Sequence, residues 1–254
     1  MASPRVLIFL ADNGNDPTEI AVPWSILVAN DITVEFATET GLESHCDPRM
    51  LSGPVGAIMG ATASAKALYN DLTKLSSWQH PHSWTSSGFS LKGYAGILLP
   101  GGHDKPMRQY LESASLQAHL ASFFPLTKRG STGSKVVGAI CHGVLALARA
   151  KGAEGKSVLW DATTTTLPVH MERFAYFSTA PILGTYYRTY PEYTASEVQS
   201  LLSSPAQYKS GGILNVKPFT MVDPTYYYVS SRFPGDAQAF GEAYVALLRE
   251  AQGR

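Results

Sequence analysis

The chain of 254 residues is poor in cysteine, in net charge and in long apolar runs. Its two cysteines, Cys46 and Cys141, stand far apart with no Cys-x-x-Cys pair and no zinc spacing, which excludes a disulfide-stapled secreted scaffold and a zinc module. Twenty basic residues balance twenty acidic ones, so no basic field draws the chain to nucleic acid or to an anionic membrane. No apolar stretch approaches a membrane span, and the run Val6–Leu10 after the first residues is too short for a signal-peptide core. A cytoplasmic location with reduced thiols is the expectation, with neither nucleic acid nor membrane as a partner.

What is present is alternation. Short β-branched runs alternate with longer helical patterns, the mark of an α/β chain with a parallel sheet and crossover helices. Arg5–Leu10, Ile32–Thr38, Tyr94–Leu99 and Lys135–Ile140 read as strands, as do Phe219–Val222 and Tyr226–Ser230. Another strand is expected to begin at Ser157–Trp160. Helices are expected from Thr18, as N-cap, to Ala29, and over Ser64–Leu75, Ser113–Phe124, His142–Lys151 and Asp236–Ala251. Asp12–Pro17 reads as a loop. Residues 162–212 are threonine-, tyrosine- and proline-rich and form an elaborated segment with short helices, Ala195–Leu202 among them, within a single domain spanning 1–254.

The most informative stretch is Val136-Val137-Gly138-Ala139-Ile140-Cys141-His142-Gly143. A buried strand meets a helix with a nucleophile at the junction, and Ala139 and Gly143 leave room for a sharp turn. Such an elbow aims the thiol over the carboxyl edge of the sheet, beside a helix N-terminus whose partial positive charge favours thiolate.

These residues, with Leu98-Leu99-Pro100-Gly101-Gly102-His103 before them, resemble the ThiJ/PfpI superfamily in its cysteine–histidine glyoxalase and heat-shock branch. Pro17–Trp24 is similar to that family's first acidic helix, and Ser230–Ala237 to its final strand-to-helix turn. The resemblance implies a flavodoxin-like, mostly parallel sheet sandwiched by helices, and a homodimer. It also implies that Glu19 approaches the sulfur of Cys141 and that His142 serves as base or proton relay. Gly101, Gly102 and the amide of His103 would supply oxyanion donors. A carboxylate orienting His142 is expected on the next strand, Asp161 first and Glu172 in reserve.

The expected activity is that of a cysteine-dependent enzyme acting on a small-molecule carbonyl substrate, a 2-oxoaldehyde or a larger aromatic metabolite, by glyoxalase III-type or other lyase, hydratase or hydrolase chemistry with no cofactor and no metal. The competing expectation is a non-enzymatic stress protein or holdase that senses oxidation through Cys141. In the aromatic segment, Ala162–Phe177 is expected to act as a lid and the tyrosines beyond it as a dimer interface. His80-Pro81-His82 reads as a solvated loop, and Cys46 as a surface-proximal thiol.

Overall fold

The strands Arg5–Phe9 (β1), Gly96–Leu99 (β6) and Val136–Ile140 (β7) are apolar over nearly their whole length and buried on both faces, as parallel strands under two helical layers must be. The computed structural model describes residues 3–131, 134–212 and 217–253. Its main sheet adds Thr33–Thr38 (β3), His82–Ser83 (β5), Thr220–Val222 (β8) and Tyr228–Ser231 (β9) in the order β5-β3-β1-β6-β7-β9-β8. All neighbours pair in parallel except β8 and β9, which run antiparallel at one edge. This is the expected α/β sheet. Two short strands, Asn13–Asn15 (β2), inside the expected loop Asp12–Pro17, and His45–Cys46 (β4), form a separate parallel pair.

Side-chain alternation divides the core in two. Val6, Ile8, Leu98, Val136 and Ile140 face a layer formed by Pro17–Ala29 (α1), Ala63–Leu72 (α2) and the closing helix Ala237–Ala251 (α7). Leu7, Phe9, Ile97, Leu99, Val137 and Ala139 face Ala114–Phe123 (α3), Gly143–Arg149 (α4) and Thr194–Ser200 (α6). No helix among the described residues is long and apolar enough to cross a membrane.

Four local expectations are corrected. The N-cap of α1 is Asp16, which accepts from the amides of Thr18 and Glu19, because Pro17 takes the first helical position, where its missing N–H costs nothing. Ser157–Trp160 makes no sheet strand; Ser157 pairs only with Lys151, and the chain turns on itself. Cys46 is buried rather than near the surface, because β4 pairs with β2 beneath Tyr69. The elaborated segment contains a fifteen-residue helix, Val169–Leu183 (α5). Its large apolar residues defeat a one-face pattern: Phe174, Phe177 and Ile182 point outward at 72%, 60% and 88% exposure, while Glu172 lies inside.

Arg232 and Asp236 form a fully buried ion pair, 2.8 Å from Nε to Oδ2, and Asp236 also accepts from the amides of Phe219 and Arg232. Removing one partner strands the other's charge in the core. Arg232→Met is therefore expected to lower unfolding stability by about 3–5 kcal/mol in urea titration.

Candidate active site

Cys141 follows β7 directly with φ at +57°, one of three non-glycine residues with positive φ among those described. A side chain held there is strained by about 1–3 kcal/mol and persists only because the surroundings fix it. Its amide donates to the carbonyl of Ser231 on β9 at 3.0 Å, and its carbonyl accepts from Thr166 Oγ1 at 2.6 Å. The chain then enters α4 at once. Gly143 permits this, since a Cβ there would lie 2.1 Å from the carbonyl oxygen of Leu99 and 2.6 Å from that of Pro100.

Glu19 reaches the same point from the first turn of α1. Its Oε2 accepts from the amide of Gly101 at 2.8 Å, while the carbonyl of Gly101 accepts from the amide of Asp16 at 2.9 Å. A methyl group at Gly101 would sit 2.7 Å from the His142 nitrogen, 3.0 Å from Cys141 Cβ and 3.0 Å from Glu19 Oε2. Gly101 is thus the gap around which nucleophile, acid and amide converge. His142 turns its Nδ1 toward the sulfur at 3.5 Å. Cys141, Glu19 and His142 are all fully buried.

Burial governs the ionisation of this cluster. It raises the Glu19 carboxyl well above the ordinary range, helped by the neighbouring Asp16. It also raises the Cys141 thiol, with Glu19 adding to the effect, and it depresses His142 well below a free histidine, with His103 adding to that. In so enclosed a setting burial works against the charged form of each of the three groups. The expectation of a standing thiolate is corrected accordingly. Desolvation of a fully enclosed sulfur outweighs the end of a helix only seven residues long. The His142 amide remains directed at the sulfur and favours the anion once a base removes the proton.

Three further site expectations change. Asp161 is exposed and both its carboxylate oxygens accept from the hydroxyl of Tyr226, at 3.0 and 2.9 Å, so it does not orient His142. The strand that would have carried it inward is a turn. Glu172 in reserve is buried, but its Oε2 accepts from the amide of Thr194 at the start of α6. No carboxylate among the described residues bonds to His142 Nε2. Gly101 has its N–H committed to Glu19, which removes it from the expected donors, while the amides of Gly102 and His103 bond to nothing among the described residues. Among the described residues no cluster of three His, Cys, Asp or Glu side chains could hold a metal ion.

The elaborated segment meets the site differently from the expected division. Thr164–Thr166 supports the elbow from behind: Thr166 bonds Cys141, and Thr165 donates its amide to Ser230 Oγ. Beyond Phe177 the tyrosines are unevenly buried within the chain, Tyr190 and Tyr193 being half-buried. Tyr186 and Tyr187 are buried, and Tyr190 packs under Arg108 and Arg149. Thr166 has no sequence signal that would have found it. Asp16 has one, because Asp-Pro-x-Glu is a helix-start pattern.

Asp16 and Asp47, both buried, have carboxyls pushed up to about 6, chiefly by desolvation. A raised carboxyl adds stability below its unfolded pKa and loses it as pH climbs through the folded value. Stability should therefore fall between about pH 4 and 7, by about 3 kcal/mol for Asp16 at the two-unit shift. Asp16→Asn keeps the cap, and in urea unfolding across that range it should remove the Asp16 share of the slope.

An open, mainly parallel α/β sheet with a strained cysteine at a sharp strand-to-helix turn above its carboxyl edge defines the class of fold. The ThiJ/PfpI family-like family matches residues 10–211, and the chain belongs to that family. An uncharacterised protein of Schizosaccharomyces pombe is 29% identical over 248 residues, covering 97% of this chain and 85% of its own length. The fold is similar to that of glyoxalase III from Candida albicans, with TM-score 0.67 and 16% identity over 96% of this chain and 97% of that one. It is similar also to Drosophila melanogaster DJ-1beta, with TM-score 0.52 and 16% identity over 99% and 92%.

Proposed function

We propose that the protein is a cofactor-independent, cysteine-dependent enzyme of glyoxalase type that converts a small 2-oxoaldehyde to the 2-hydroxy acid. The observation that carries this reading is the convergence on one strained sulfur of a neutral base, His142 Nδ1 at 3.5 Å, and a buried acid, Glu19. The likeness to a glyoxalase III fold supports it.

In this scheme His142, neutral in its buried setting, accepts the thiol proton as sulfur adds to the aldehyde carbon. The former carbonyl oxygen becomes a hemithioacetal hydroxyl, its developing charge met by the Gly102 and His103 amides. A base then takes the C1 proton to give an enediol and returns a proton to the C2 carbon, while the C1 hydroxyl proton passes to the C2 oxygen, leaving a thioester and a new C2 hydroxyl. Water hydrolyses the thioester, releasing the 2-hydroxy acid and returning the thiol. No electron acceptor is needed, because oxidation at C1 balances reduction at C2. Glu19, holding a proton beside the sulfur, stabilises the anion and supplies or recovers the proton.

A redox sensor would need the cysteine but no base beside it, and the Nδ1 of His142 faces the sulfur. The test is lactate formation from methylglyoxal by wild type and Cys141→Ala. Formation at the same rate in both, or none in wild type with any small 2-oxoaldehyde, would overturn the proposal.

A further inference from the structure

Among the buried polar atoms that bond to nothing among the described residues are Glu19 Oε1, His142 Nε2, His103 Nε2 and Tyr187 Oη. Unpaired buried polar groups are costly, and several together call for an occupant. Three of them follow one line of ring contacts. His142 meets His103 edge-on with centroids 4.8 Å apart, and His103 meets Tyr187 edge-on at 5.1 Å. Tyr187 in turn stands against Tyr186 at 4.8 Å.

A second observation ties Tyr187 to the site from its acidic side. Asp16 acts electrostatically on Cys141, on Glu19 and on Tyr187 alike. The segment that carries Tyr187 is also held down. Thr189 Oγ1 donates to the carbonyl of His103 at 2.8 Å, Lys105 Nζ to Thr185 Oγ1 at 2.9 Å, and Arg108 Nε to the carbonyl of Thr189 at 2.7 Å. Cavities of about 720, 540 and 240 Å³ open elsewhere on the surface, and none is lined by Cys141, Glu19 or His142.

We propose that Tyr187, seated edge-on against His103, is the specificity-determining residue of the Cys141 site. Its ring limits the substrate to a short carbonyl compound, and its hydroxyl, with His103 Nε2, binds the oxygen on the carbon next to the one attacked. The substrate half of this inference rests on the glyoxalase reading; the size limit does not.

The experiment separates the two. Cys141 labelling by iodoacetamide and by the bulkier N-phenylmaleimide is followed by mass spectrometry in the full chain, with Cys46 as internal control. Tyr187→Ala is expected to speed N-phenylmaleimide labelling of Cys141 about ten-fold or more, and iodoacetamide labelling less, while Tyr187→Phe labels as wild type. With methylglyoxal, Tyr187→Phe is expected to raise KM several-fold, by more than it lowers kcat. Tyr187→Ala is expected to accept phenylglyoxal. Should the alanine variant lose cooperative unfolding, Tyr187→Leu keeps apolar volume without the ring edge and takes its place. Cys141 labelling that is the same in wild type and variant with both reagents overturns the size limit. An unchanged KM in Tyr187→Phe overturns the hydroxyl's role. Absence of any turnover in wild type with the labelling contrast intact refutes the glyoxalase reading, and the oxygen-binding role with it, and leaves the size limit standing.

Discussion

Glu19→Gln is expected to cut turnover of methylglyoxal about 10²–10⁴-fold, the usual range for a lost acid–base group, while unfolding stays cooperative. Glutamine is nearly isosteric and keeps an oxygen to accept from the Gly101 amide, now 2.8 Å from Oε2, so the loop is still pinned. What disappears is the exchangeable proton. Because burial raises the carboxyl well above its ordinary range, replacing it by a neutral amide takes little charge out of the folded core. Stability at neutral pH should therefore remain close to wild type, which separates this change from one that simply breaks the site. Turnover within a few-fold of wild type would reduce Glu19 to a fastening for Gly101.

The second large effect sets stability against activity at one position. Cys141→Ala and Cys141→Gly should both abolish turnover, since neither has a sulfur to add to the aldehyde. They should differ in stability in an unusual direction. Glycine ordinarily costs about 0.5–1 kcal/mol relative to alanine through backbone entropy. At φ +57° it instead escapes a steric cost of about 1–2 kcal/mol that alanine retains. The glycine variant is thus expected to melt at or above the alanine variant, measured by calorimetry at one pH. An alanine variant clearly the more stable of the two would show that the elbow holds no such strain.

Much of this arrangement was legible because it depends on local rules. The run Val136–Ile140 followed by Cys141, His142 and Gly143 carries strand, nucleophile and relief in adjacent residues, and the structure places each accordingly. Glu19 was reached through resemblance, and its burial shows the reason for that: nothing in α1 itself says that its acidic residue faces inward. The failures share a cause. Asp161 and the strand expected at Ser157–Trp160 rested on a regular βαβ succession, and the chain there turns back on Lys151 instead. The role of Tyr187 depends on a ring contact with His103, more than eighty positions away, and no period or spacing encodes that. The ionisation of Cys141 misled for a different reason. A helix end is visible in a sequence, whereas the completeness of an enclosure is not.

The position of β9 beside β7 also bears on how the thiol is made. Cys141 depends on a strand from the far end of the chain, whose Ser231 carbonyl receives its amide. At a synthesis rate of about 5–20 residues per second, Ser231 leaves the ribosome roughly 5–20 s after Cys141. Until then β7 has no neighbour on that side and the Cys141 amide has no acceptor. The nascent sulfur is consequently an ordinary exposed thiol, open to any oxidant or aldehyde nearby. Its enclosure is completed only with the last strands and the final helix, so premature termination just before Tyr228 would release a chain whose elbow thiol is unsheltered.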